Sequence, residues 1–434
     1  MKIAIEGCAH GDLDNIYATL QHLEESENIK IDLLICCGDF QAVRNENDLE
    51  SMACPVKYRT MNTFWKYYSG EEIAPVPTIF VGGNHEASNY LWELYYGGWV
   101  APRIFFMGFA GVIWFGNIRI GGLSGIFKSH NYYSGHYERA PYNNSDIRSI
   151  YHVREYDVHK LMQIEEPLDV FISHDWPRGI TDFGNSEQLL RHKPFFENEI
   201  KSKTLGSQPA EELLKKLKPS YWFSAHLHTK FAAVVQHGEN GPITKFLALD
   251  KCLPGHNFLQ VIEIESDAGP HEIRYDEEWL AITQAYNPYF PLSRKSVQLM
   301  AELPDLGYHR QHVRNCMKEI NMKPFDFTMT VPPHDPTQGK TASPASLGHV
   351  RNPQTEAFLQ LLDLYYLLDY APEHATPNRS PVSSMIRVKD ENEIVLDDAD
   401  DDNVPDDVDE IEVLSQQTMT NPNEIALHEN DGDS

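Results

Sequence analysis

Between residues 1 and 265, five short apolar runs each stop at a cluster of polar, metal-binding residue types. KIAIEG leads to Cys8 and His10, and IDLLICCG leads to Asp39. TIFVGG leads to Asn84, His85 and Glu86, DVFIS to His174 and Asp175, and SYWFSA to His226 and His228. Continuous β-rich runs of this length suit central strands covered on both faces. Further strand-like runs follow at 118–123, 243–249 and 258–264, and amphipathic helical patterns lie at 12–26, 87–96 and 209–217. In such sheets, ligands collect at the carboxyl ends of strands, so residues far apart in sequence can converge on one site. The expected fold is α/β, with two stacked β-sheets flanked by helices.

Composition narrows the class. The longest apolar run, 104–116, is too short to span a bilayer and reads as one buried strand, so no membrane partner is expected. MKIAIEGCAHG turns polar before any signal-like apolar stretch develops. The six cysteines form no CxxC pair and no disulfide-scaffold spacing, so reduced thiols are expected. The net charge of −28 argues against a generally basic nucleic-acid binder. It is unevenly placed, however: residues 389–434 hold 17 acids and one Lys. That composition predicts a disordered acidic tail over 385–434, whose protein partners nothing in the sequence names. Pro- and Ser-rich stretches at 341–353 and 371–384 read as linkers around one apolar helix, 354–370.

Taken singly, the strand-end residues have plain explanations. A lone His after a strand is usually a hydrogen-bonded structural residue, and a lone Gly-Asp is usually turn chemistry. Taken together, GD at 38–39, GNHE at 83–86, SHDWP at 173–177 and AHLH at 225–228 are different. Imidazole, carboxylate and amide suit divalent first-row metals, and a carboxylate can bridge two of them. The set points to a metal centre.

In this order the motifs resemble those of the calcineurin-like metallophosphoesterases, across roughly residues 1–250. Cys8 stands where the family has its first Asp, and Ala225 where the last motif has Gly. Within that superfamily GCAHGDLDNIY, LLICCGDFQAVRN, GGNHEASNYL, SGIFKSHNY, FISHDWPRGI and FLALDKCLP look like the lariat-debranching family. The resemblance implies a metallophosphoesterase catalytic domain over 1–265, a C-terminal debranching-enzyme domain over 266–384, and the tail. It implies hydrolysis of the 2′–5′ phosphodiester at the branch point of excised intron lariats, which linearises them for turnover. Branched intron RNA would be the partner, and the location nuclear.

The resemblance also implies one or two divalent ions. His10, Asp39 and His228, with Cys8, form one pocket; Asp39 again, with Asn84, His174 and His226, forms the other. His85 is implied as the general acid to the departing 2′-oxygen, a task imidazole suits. Glu86 either orients His85 or is a helix-start carboxylate, and Asp175 either supports a ligand His or closes a turn. A thiol favours iron or zinc, with manganese also expected to support activity; the other reading leaves Cys8 a small buried thiol. The segment 124–160 is dense in aromatic and basic residues, and reads either as tyrosines packed on the fold or as a lariat recognition loop. On the second reading Phe127, Lys128, Tyr132, Tyr133, Tyr142 and Arg154 are its RNA contacts. The competing functions are a protein phosphatase or nucleotide phosphodiesterase on the same fold, and a non-catalytic scaffold.

Overall fold

The computed structural model describes residues 1–296, 305–337 and 348–370. The expected acidic tail lies outside them, as do the linker at 371–384 and most of that at 341–353. Two sheets form the body. The first runs β12 (Leu259–Glu263), β1 (Lys2–Glu6), β2 (Leu33–Cys36), β3 (Thr78–Phe80), β5 (Ile104–Phe106) and β4 (Gly98–Ala101). The second runs β10 (Phe231–Gln236), β11 (Ile243–Ala248), β9 (Tyr221–Ser224), β8 (Val170–Ser173), β7 (Ile118–Leu123), β6 (Ala110–Phe115) and β13 (Ile273–Tyr275). Period-two alternation aims Ile3, Ile5, Leu33, Ile35 and Ile79 of the first sheet at Ile120, Ile172, Phe223 and Leu247 of the second. Their opposite faces are also buried: Ala4, Leu34 and Phe80 are fully covered, beside Tyr17 and Leu20 of helix Leu13–Glu27. This is the two-sheet α/β architecture expected.

Strands β1, β2 and β3 run parallel, as do β7, β8 and β9. Parallel pairing puts their carboxyl ends along one edge of each sheet, and this is how five distant motifs come together.

The structure corrects three local expectations. The run 104–116 is two strands in different sheets, joined across Gly108 at φ 84°, where a Cβ would sit 2.7 Å from the Tyr95 carbonyl oxygen. The helix expected over 354–370 is Pro353–Leu361; Asp363 adopts the left-handed region and the chain turns away. The helix expected over 87–96 is only Ser88–Glu93. Among the described residues no helix is long and apolar enough to cross a membrane.

Pairing continues past residue 265. β13 adds to the edge of the second sheet, and Arg119 on β7 forms buried ion pairs with Asp276 and Glu278. Helices Glu277–Tyr286, Leu306–Ile320 and Pro353–Leu361 share a smaller core of Leu280, Val313, Met317, Phe358 and Leu362. Gln354 takes both backbone groups of Trp99, so the C-terminal segment covers the β4 edge that would otherwise be open.

Candidate active site

The strand ends meet in a half-buried cluster. Ligand atoms of Cys8, His10, Asp39 and His228 all lie within 4.8 Å of one another. On the other side of Asp39, His174 Nε2 is 3.4 Å from Asp39 Oδ1 and 3.2 Å from Asn84 Oδ1. The His226 ring stands 4.9 Å from that of His174. Asp39 therefore belongs to both groups of donors.

Local backbone is strained to achieve this. His10, Asp39, Gln41, His226 and His228 all have φ between 42° and 67°, a region that costs non-glycine residues of order 1–3 kcal/mol each. Close approach demands glycine at two neighbours. A Cβ at Gly38 would sit 2.1 Å from His174 Nδ1, and one at Gly83 would sit 2.2 Å from Asp39 Oδ1. The GD and GNHE pairings thus follow from packing as well as chemistry.

Protonation suits metal binding. His174 Nδ1–H donates to the Cys37 carbonyl at 2.9 Å, which turns Nε2 towards Asp39 and Asn84; burial lowers His174, but Asp39 outweighs it and raises the ring, favouring its charged form. Burial lowers His226 to about 3 and holds His228 well below its ordinary range, so both are neutral. His228 Nε2 is buried without a hydrogen-bond partner among the described residues. Burial would raise Asp39, but the His174, His85 and His10 imidazoles outweigh it and hold the carboxylate well down. Burial, then Asp39, pushes the Cys8 thiol well up. Two neutral imidazoles, an ionised carboxylate and an orphaned ring nitrogen fit divalent cations, which would displace a proton from His174 and reverse the thiol's reluctance to ionise.

His85 stands beside this cluster. Its backbone N–H donates to Asp39 Oδ1 at 2.8 Å, and its ring lies 5.6 Å from that of His10. Glu86 does not touch His85: its carboxylate accepts the backbone amides of Phe40, Gln41 and Gly83 at 2.8–2.9 Å, clamping the GD loop to the GNHE loop. Burial and then Asp39 raise it to about 8. Asp175 accepts the Phe127 amide at 3.1 Å, which ties the 124–160 segment to the end of β8.

Within that segment the aromatic row is real: Phe127, Tyr132 and Tyr133 meet edge to face, and Tyr133 is 57% exposed. Lys128 lies near enough to His226 and Asp175 to act on both electrostatically. Tyr142 is half-buried, some distance along the loop. Arg154 is corrected: it is wholly buried, paired with Glu138 at 2.5 Å and donating to the Asn131 carbonyl, so it braces the loop and offers nothing to RNA. The sequence reading missed Gln41, whose side chain meets His10 Nδ1 at 2.9 Å, and Asn62, which donates to the His10 carbonyl. Gln41, two residues beyond Asp39, was within the quoted motif; Asn62 carried no signal.

A two-sheet body with a shared aspartate and imidazoles at its strand ends defines a metallophosphoesterase, and residues 1–230 match the calcineurin-like phosphoesterase family. Residues 241–367 match a second family, the C-terminal domain of lariat debranching enzyme. The chain is 60% identical to the lariat debranching enzyme of Arabidopsis thaliana over 96% of its own length and 97% of the relative's. The enzymes of that name from Danio rerio and Homo sapiens are 52% and 50% identical, over 85% and 86% of this chain and 67% and 71% of theirs. The chain belongs to the lariat debranching enzyme family.

Proposed function

We propose that the chain is a hydrolase that opens the 2′–5′ phosphodiester at the branch point of excised intron lariats, acting in the nucleus where introns are released. The observation that carries this reading is Asp39 standing between two donor sets in a chain that matches both family domains. Cys8, His10, Asp39 and His228 would hold one divalent ion, and Asp39, Asn84, His174 and His226 a second. Divalent ions so held polarise phosphoryl oxygens and lower the pKa of water towards neutrality. Water adds to phosphorus as the bond to the 2′-oxygen breaks, leaving a 5′-phosphate on one strand and a 2′-hydroxyl on the other. His85, positioned through its own backbone on Asp39, gives the departing 2′-oxygen its proton. Phe127, Lys128, Tyr132 and Tyr133 form a stacking and phosphate-binding edge beside the centre. The pure protein should cleave branched RNA, spare a linear 3′–5′ control, and lose activity with chelator. Equal hydrolysis of the linear RNA or of phosphoserine peptides would overturn the branch-specific reading.

Cys8 sets the metal preference in this reading. Thiolate is softer than carboxylate and favours iron or zinc over manganese, which still supports turnover. Cys8→Asp should remain active with its preference moved towards manganese, and Cys8→Ala should lose the ion from that pocket. Metal analysis of the three proteins, with activity titrated in zinc, iron and manganese, checks this. Identical content and preference in all three would mean that Cys8 touches no metal.

A further inference from the structure

We propose that a cavity beside the phosphoesterase centre, walled by Arg44, Asp48, Asn89, Trp92, Tyr142 and His349, receives one unpaired nucleobase of the branched RNA. The proposal rests on the debranching reading above. The cavity measures about 310 Å³ and, besides Val331, is lined by four separate parts of the chain. These are the residues after the GD motif, the helix after GNHE, the 124–160 loop, and the C-terminal segment around His349. The last of these belongs to the debranching-enzyme domain and falls outside the general phosphoesterase match.

Three of its lining side chains carry a buried polar atom without a hydrogen-bond partner among the described residues: Asn89 Oδ1, the Tyr142 hydroxyl and His349 Nδ1. Asn89 spends its amide on Asp48 Oδ1 at 2.6 Å, so the atom left over is an acceptor. His349 Nε2 is engaged by the Tyr366 hydroxyl at 2.6 Å, so only its Nδ1 remains. Buried polar groups are almost always paired, and three exceptions around one cavity mark an absent partner. A nucleobase edge, with amine donors and ring-nitrogen acceptors side by side, matches this mixed set.

Charge selects the base over the phosphate. Arg44 is the one formally cationic residue among the described lining, and its guanidinium is already held by Asp48 and Glu93. Burial lowers His349 to about 4, so it is neutral. The lining carboxylates Asp48, Glu50 and Glu93 would therefore oppose an anion, and Arg139, the cation behind the Trp92 ring, is already engaged by the His136, Glu138 and Tyr370 carbonyls, whereas a neutral heterocycle meets matching dipoles. The place also fits. Arg44 is five residues beyond Asp39, and Asn89 five beyond Asn84; five residues span at most about 18 Å. A nucleotide adjoining the branch can reach the cavity while the branch phosphate lies at Asp39.

Tyr142→Phe tests this cleanly, because it deletes one hydroxyl that none of the described residues hydrogen-bonds. Melting temperature should hold or rise, kcat at saturating branched RNA should hold, and KM and Kd should rise roughly three- to tenfold, the loss of one neutral hydrogen bond. Branched RNAs with an abasic site at each nucleotide adjoining the branch identify the base. At one position the abasic RNA should bind wild type more weakly, and Tyr142→Phe should add no further loss. The proposal fails if the variant binds as wild type does, if it weakens every abasic RNA as much as the intact one, or if its melting temperature falls. Failure of wild type to cleave branched RNA at all would instead overturn the debranching reading.

Discussion

Replacing His85 with Ala should slow hydrolysis of branched RNA by on the order of a hundred- to ten-thousandfold, the usual loss when one positioned proton donor is removed. The backbone argues that little else changes. The His85 contact to Asp39 is made by its N–H, which alanine keeps, so the carboxylate shared by both donor sets stays in place. The ring packs edge to face on that of His10, ring centres 5.6 Å apart, and alanine leaves the His10 backbone and its Gln41 contact as they are. Metal content and affinity for branched RNA should therefore be close to wild type, with the loss confined to kcat. Asp39→Ala is the contrast: it removes a donor common to both pockets, and metal should go with activity. If His85→Ala loses its metal as Asp39→Ala does, the imidazole is a ligand and its role as acid is wrong.

Why were the strand ends readable in the sequence when other features were not? Metal and phosphate chemistry restricts residue type severely, and parallel strands force the residues that follow them to one edge. The strand-end residues could be collected on those two grounds, the family resemblance singled out Cys8, His10, Asp39, Asn84, His174, His226 and His228 among them, and these seven do converge. Arg154 misled because the charge balance of a loop does not say who pairs with whom: Glu138, sixteen residues upstream, neutralises it inside the fold. The apolar run 104–116 hid a change of sheet, since burial on both sides erases the alternation that would mark a boundary. Glu86 read either as a partner for its neighbour or as a helix-start carboxylate, yet it serves three backbone amides, a role that no side-chain pattern records. The attachment of the C-terminal segment was invisible for the same reason: its polar ties join residues far apart in the chain, such as Thr330 with Glu93.

That attachment leads to the largest expected effect on stability, at Arg44. The side chain is 1% exposed and fully engaged. Nε and Nη2 take both oxygens of Asp48 at 2.8 and 2.9 Å, and Nη1 reaches Glu93 at 2.8 Å and Thr330 at 2.7 Å. The guanidinium lies 3.8 Å from the Tyr90 ring centre, and the Arg44 carbonyl accepts the His334 amide. Arg44→Ala leaves two carboxylates buried without their cation, a change that typically costs 3–5 kcal/mol. For a chain of this size that is a fall of roughly 5 °C in melting temperature. The loss should depend on pH in a definite direction. Burial already raises Glu93 to about 7 against Arg44's opposing charge, so its folded form binds a proton more readily than the unfolded chain does. Such a group weakens folding as pH rises from about 4.5 through 7, and without Arg44 the rise in its pKa is greater. The stability deficit of Arg44→Ala should therefore be small near pH 5 and large near pH 8. Arg44→Lys should fall between the two proteins, because one ammonium cannot match both carboxylates in that fork. Because Gln41, three residues earlier, braces His10, the same variant should also hold metal less firmly. Thermal melts of the three proteins across pH 5 to 8 decide the matter: a deficit that is absent, or that grows towards low pH, would show that Asp48 and Glu93 do not depend on Arg44 for their burial.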